Sequence, residues 1–223
     1  MENSIYFNLS YFDFFVELSL NNQKSWFDVN KKRYETDVKA PFELFISDLI
    51  LKMAEVSSDF RDLSAKDCIF RIYKDVRFSK DKTPYKSHCS ASIHKGGKKS
   101  MTAGGVYIEI GAEKCAIYSG VYMPEKDDLL RIRERIYVNM DAFNEAILDK
   151  DFKHYFGEVR GEKNKRIDNY FLDKSQVQPL LFNKQYYVMH EFEAEKCLTE
   201  DFLDYVVNVW KSTFKFNRVL AGI

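Results

Sequence analysis

Residues 77–88 read "RFSKDKTPYKSH" and gather Arg77, Lys80, Lys82 and Lys86 against one anion, Asp81, with His88 at the end. Arginine grips phosphate or carboxylate through a two-pronged fork, and lysine adds a point charge. Ser79 and Thr83 supply hydroxyls, and Pro84 stiffens the segment, which lowers the ordering cost of binding. From Arg71 to Lys99, nine cations face only Asp75 and Asp81. The whole chain balances 34 cations with 34 anions, so this stretch carries +7 and the remainder −7. Such polarisation focuses the approach of an anion even in a neutral protein. The plainer alternative is a solvated turn in which Asp75 or Asp81 pairs with Arg77 or Lys82. "KDKTPYK" contains no GxxxxGK[ST] phosphate loop, and "HKGGKK" (94–99) reads only as a flexible basic tip.

Alternation supplies the proton-transfer candidates. "CIFRIYKDV" (68–76), "HCSASIHK" (88–95), "GVYIEI" (105–110) and "KCAIYSGVY" (114–122) each alternate at period two, which predicts four strands, with "GAEK" closing a hairpin between the last two. Successive side chains on a strand point to opposite faces. One face therefore collects Phe70, Ile72, Cys89, Ala91, Ile93, Val106, Ile108, Ile110, Cys115, Ile117 and Val121. The other collects Arg71, Tyr73, His88, Ser90, Ser92, His94, Tyr107, Glu109, Tyr118 and Tyr122. A merely wet face would favour Lys, Glu and Thr, whereas Tyr joins an apolar ring to a polar tip suited to ligands. Glu109, beside Arg71 or His88, is the best general-base candidate and His88 the second; an ordinary Glu–Arg pair across strands is the structural alternative. Cys89 falls opposite both histidines and no CxxC or HExxH spacing occurs, so no metal site is predicted.

Helical stretches must frame these strands. Ser10 is placed to cap a helix reaching about Leu20, and a second starts from Gln23 with Trp26, Phe27 and Tyr34 packed. Pro41 suits the first turn of a third, in which Phe42, Phe45, Ile46, Leu49, Ile50 and Met53 recur at helical spacing. Pro124 opens another carrying Arg131, Arg133 and Arg135, and a further helix spans about 141–150. "QYYVMHEFE" (185–193) predicts one more strand and 199–217 a closing helix. The fold class expected is α+β, a mainly antiparallel sheet with N-terminal helices packed on one face and further helices at the C-terminus.

Composition bounds the rest. Hydrophobic residues make up 45% and aromatics 16% of the 223 residues, which excludes disorder. Without a Pro/Gly/Ser-rich linker, one domain over 1–223 is expected. "MENSIYFNLSYFDFF" lacks the basic region and apolar run of a signal peptide. No apolar run approaches the ~20 residues that cross a bilayer. A cytoplasmic protein with no membrane partner and with Cys68, Cys89, Cys115 and Cys197 reduced is expected. The neutral balance counts against a nucleic-acid partner.

"NNQKSWFDVNKKRYE" (21–35), "FRIYKDVRFSKDKTPYK" (70–86), "GGVYIEI" (104–110) and "GVYMPEKDDLLRIRERI" (120–136), in that order, resemble the DUF2461 family of uncharacterised proteins. "RGEKNKR" and "LLFNKQYYV" continue the likeness, while "IDNYFLDKSQVQP" departs from it. The resemblance implies a stand-alone domain and supplies no reaction or cofactor. It implies that Arg71, Asp75, Arg77, Ser79, Lys80, Asp81, Lys82, Thr83, Pro84, Tyr85 and Lys86 form the family's signature. The ligand-binding set expected is Arg71, Tyr73, Arg77, Ser79, Lys80, Lys82, Tyr85, Lys86, His88, Tyr107 and Tyr118. Its partner would be an anionic, phosphate-bearing small molecule or nucleotide. The alternative is a nucleic-acid-binding or protein-interaction module without chemistry.

Overall fold

The computed structural model describes residues 5–98 and 103–222. The N-terminal helices are α1 (Leu9–Leu20), α2 (Lys24–Arg33) and α3 (Ala40–Val56), followed by the short α4 (Ala65–Cys68). The strands are β1 (His88–Ile93), β2 (Val106–Gly111) and β3 (Cys115–Val121). After α5 (Lys126–Val138), α6 (Met140–Leu148), α7 (Lys150–Phe156) and α8 (Leu172–Ser175) comes β4 (Tyr186–Phe192), then α9 (Phe202–Lys211) and α10 (Phe214–Ala221). The four strands make one antiparallel sheet in the order β1-β2-β3-β4, so the fold is α+β.

Asn8, not Ser10, caps α1: its Oδ1 accepts from the Tyr11 N–H at 3.3 Å and from the Ser10 hydroxyl at 2.7 Å. Between α2 and α3 the helix widens to a π-helical stretch, Tyr34–Lys39. Pro41 accounts for this, since a proline lacks an N–H and its ring crowds the carbonyl four residues back. The closing helix expected over 199–217 is two, α9 and α10, separated at Ser212 and Thr213.

Contacts divide the chain into two compact units. The first holds 1–98, 107–117 and 191–207, and the second holds 99–106, 118–190 and 208–223. In the first, Phe14, Phe15, Phe42, Phe45, Ile46 and Leu49 close over the core, which includes Ala91, Ile93, Ile108, Ile110 and Ile117. The Tyr11 hydroxyl reaches down to donate to the Ile110 carbonyl at 3.1 Å. Cys115 and Cys197 lie buried with their sulfurs 3.9 Å apart, as free thiols. In the second unit, Gly120 sits at φ +99°, where a Cβ would stand 2.3 Å from the Tyr186 carbonyl, so only glycine fits. There the buried Ser119, Thr213 and Asn217 hydrogen-bond to one another.

The expected first strand, 68–76, does not form. Cys68 ends α4, and the residues after it make only two isolated antiparallel bridges, Ile69 with Ala91 and Tyr73 with Tyr85. Bridged residues share a face, so Ile69 goes with Ala91 to the core side and Phe70 passes to the other. The assignment of Phe70 to the helix-covered face is therefore corrected; Tyr73 is bridged to Tyr85 yet stays 49% exposed. Tyr73 packs against Tyr85 and Phe27, with ring centroids 5.2 and 6.2 Å away. In the second unit, Arg160 bridges Tyr187 on β4 and Lys163 bridges Asn183. No helix among the described residues is long and apolar enough to cross a membrane.

Candidate functional site

The basic loop closes upon itself. The Lys74 amide donates to the Pro84 carbonyl at 2.9 Å, and the Lys86 amide to that of Ile72 at 2.8 Å, drawing its ends together. Arg77 turns back on Asp75 with a fork of 2.9 and 2.7 Å, and holds that carboxyl down to about 2. Lys74 donates to Asp81 at 2.8 Å and to Thr83 at 2.7 Å, and Asp81 in turn accepts from the Thr83 amide at 2.9 Å. Ser79 accepts from the Asp81 amide at 3.1 Å, and Lys82 donates to the Val76 carbonyl at 2.9 Å. Lys80 stays exposed. Phe78 is 95% exposed, with the Arg77 guanidinium 5.8 Å from its ring centre. These ion pairs stand in water, where each contributes little to stability. Arg77→Met/Lys82→Met is expected to leave the melting temperature nearly unchanged in differential scanning calorimetry; early unfolding would show that the pairs hold the fold.

Tyr85 belongs to the packing. Its ring stacks on Phe27 at 4.1 Å and an angle of 14°, and its backbone is clamped by Asn22, which accepts from its N–H at 3.1 Å and donates to its C=O at 2.9 Å. Of the residues expected to bind ligand, Tyr85 is thus buried in the packing, while Tyr73 beside it stays 49% exposed.

Beyond the loop the chain delivers a second group, half-buried on the opposite face. Lys86 lies with its ammonium 5.1 Å from the Phe70 ring centre and 3.5 Å from the Ser90 hydroxyl. Phe70 meets Tyr107 edge-on at 6.0 Å. Tyr107 donates to Glu109 Oε1 at 2.8 Å, and His88 Nε2 approaches the same oxygen at 3.5 Å. His88 can come this close to β2 because Gly111 has no side chain: a Cβ there would lie 2.8 Å from that of His88. Arg71 is exposed at the edge, and Tyr118, half-buried on β3, belongs to the second unit.

Burial pushes the Lys86 amine down, with Arg71 adding repulsion and Glu109 pulling the other way. Burial also pushes His88 down, opposed by Glu109 and reinforced by Lys86, Lys114 and Lys74. A His88 lowered in this way is a neutral imidazole at pH 7, able to take a proton. Glu109 therefore keeps company with His88 rather than Arg71. Cys89 points into the core towards Tyr11, where burial raises its thiol to about 12, so it is no nucleophile. His94 bonds to Ser92 at 3.0 Å, apart from His88. Phe70 and Lys74 are the participants that residue types and spacing do not reveal. The counterion role of Lys74 needs the loop's closure, and Phe70 is hidden by a one-residue difference in face.

A family model described as a conserved hypothetical protein (DUF2461) matches residues 10–218, from α1 into α10. The chain belongs to DUF2461. No curated protein and no solved structure matches it. Both the loop and the Lys86 group of this DUF2461 chain fall within the matched span.

Proposed function

We propose that the chain binds a small anionic molecule bearing phosphate, a nucleotide included, and that Lys86 is the centre of the site. The observation that carries this reading is the Lys86 ammonium itself. It is half-buried, yet its neighbours are a hydroxyl at 3.5 Å and an aromatic ring, and it forms no ion pair with any carboxylate of the described residues. A desolvated cation in that position gains most from an incoming anion. Arg71 stands near enough to repel it, a cost that an anion relieves. The paired cations of the loop then shape and steer, while Glu109, His88 and Tyr107 offer acid–base groups to whatever the anion carries.

Binding stabilises the native state by about 2.7 kcal/mol at a hundredfold excess over Kd. Inorganic phosphate and a nucleotide panel should raise the melting temperature of the wild type above a chloride control of equal ionic strength, which discounts general exclusion effects. Lys86→Met should lose that rise and Lys80→Met keep it. A wild type indifferent to every anion, or an equal response from Lys86→Met, overturns the reading.

One observation favours a second reading. The bare Phe78 ring amid cations suits stacking on a nucleic-acid base, although the chain's zero net charge offers little attraction to a backbone. Oligonucleotide binding lost in Phe78→Ala, with the phosphate response intact, would favour it.

A further inference from the structure

We propose that Lys86 is a nucleophile as well as an anchor: its amine, set between Phe70 and Ser90 beside Glu109, His88 and Tyr107, condenses with the carbonyl of a small anionic oxo compound. The ligand class is a 2-oxo acid or a phosphorylated aldehyde. This rests on the anion-site reading above, since the charged end of such a molecule is what Lys86 and Arg71 would draw in.

Amines attack carbonyls only when unprotonated, and burial against Phe70, which outweighs the pull of Glu109, favours that form. The contrast lies within the same chain. Lys24 and Lys215 are held in the charged form by carboxylates at 2.5 and 2.9 Å, whereas burial works on Lys86 in the opposite direction. Lys82 and Lys98 spend their donors on backbone carbonyls.

Imine formation also needs a group that accepts the proton shed by nitrogen and one that delivers a proton to the departing oxygen. The neutral His88 and the Glu109–Tyr107 pair are of those two kinds. The amine attacks the carbonyl carbon and forms a C–N bond, and the carbonyl oxygen takes up protons and leaves as water. One ammonium and one carbonyl compound become one iminium and one water, with no change of oxidation state.

Trapping tests this directly. The intact wild-type protein is incubated at pH 7 with glyoxylate or pyruvate and cyanoborohydride, which reduces an iminium to a stable secondary amine. Labelled lysines are then ranked by peptide mass spectrometry. Lys86 should label severalfold faster than the exposed Lys80 and Lys82 of the same loop, inorganic phosphate should slow it, and its rate should begin to fall only at a lower pH than theirs. Lys86 labelling no faster than Lys80 and Lys82 overturns the nucleophile. If that happens while Lys86→Met still abolishes the phosphate-induced rise in melting temperature, the anion site stands alone. If the phosphate response is absent too, both readings fall.

Discussion

Tyr85→Ala is expected to lower the unfolding free energy by about 3–5 kcal/mol, the cost of emptying a packed aromatic site. Tyr85 is only 2% exposed, and its neighbours Phe27 and Tyr73 sit on elements that cannot all collapse into the gap. Phe27 belongs to α2, and Tyr73 is tied to Tyr85 itself by a backbone bridge. Removing the ring therefore loosens the base of the basic loop together with the helix above it. Tyr85→Phe keeps the ring and should change stability little. Urea unfolding of the three proteins checks this. A Tyr85→Ala that unfolds like the wild type would mean the ring is not packed as described and would return Tyr85 to the ligand-binding residues.

Acid should unfold the chain partly through His94. The residue is 8% exposed, and burial pulls its imidazole from 6.5 down to about 4. Between those two values the unfolded chain takes up a proton that the folded chain refuses, so protons favour unfolding there. The contribution is intact above about pH 6.5, is lost as pH falls towards 4, and declines no further below that. Two and a half units correspond to about 3 kcal/mol at most. Urea unfolding at pH 7 and pH 4.5 should show the wild type losing markedly more stability than His94→Gln, whose side chain carries no titrating proton. Equal losses in the two proteins would remove His94 as the cause.

Residue order alone reveals what period and punctuation can express. β2 alternates cleanly, so Val106, Ile108 and Ile110 fall opposite Tyr107 and Glu109, and burial agrees: the first three are fully buried and the last two half-buried. Pro41 and the spacing from Phe42 to Met53 mark α3. The stretch 68–76 alternates just as well, yet alternation expresses only which side chains prefer burial, not whether a backbone has partners along its length. Two bridges and the closure of the loop decide the register there, and both depend on residues up to 22 positions away, as Ile69 with Ala91 illustrates. The same limit applies to charge. Four cations in twelve positions read as a candidate anion site, but Arg77, Lys74 and Lys82 satisfy themselves locally through Asp75, Asp81 and Val76. Lys86, a half-buried cation at the end of this stretch that makes no such pair, differs from its neighbours only in where the strand carries it.

The interrupted bridges on the outer strands have a bearing on how the chain behaves among copies of itself. β1 and β4 end the sheet, and an end strand offers a row of unmet N–H and C=O groups to any strand that drifts past. Here Ile69 lies over Ala91 on one side, while Arg160 lies over Tyr187 and Lys163 over Asn183 on the other. Each is too short and irregular to extend the sheet into a further regular strand, yet each occupies backbone groups on which a neighbouring molecule would have to nucleate. Bridges of this kind leave fewer free backbone groups at the margins with which a strand of another copy could pair.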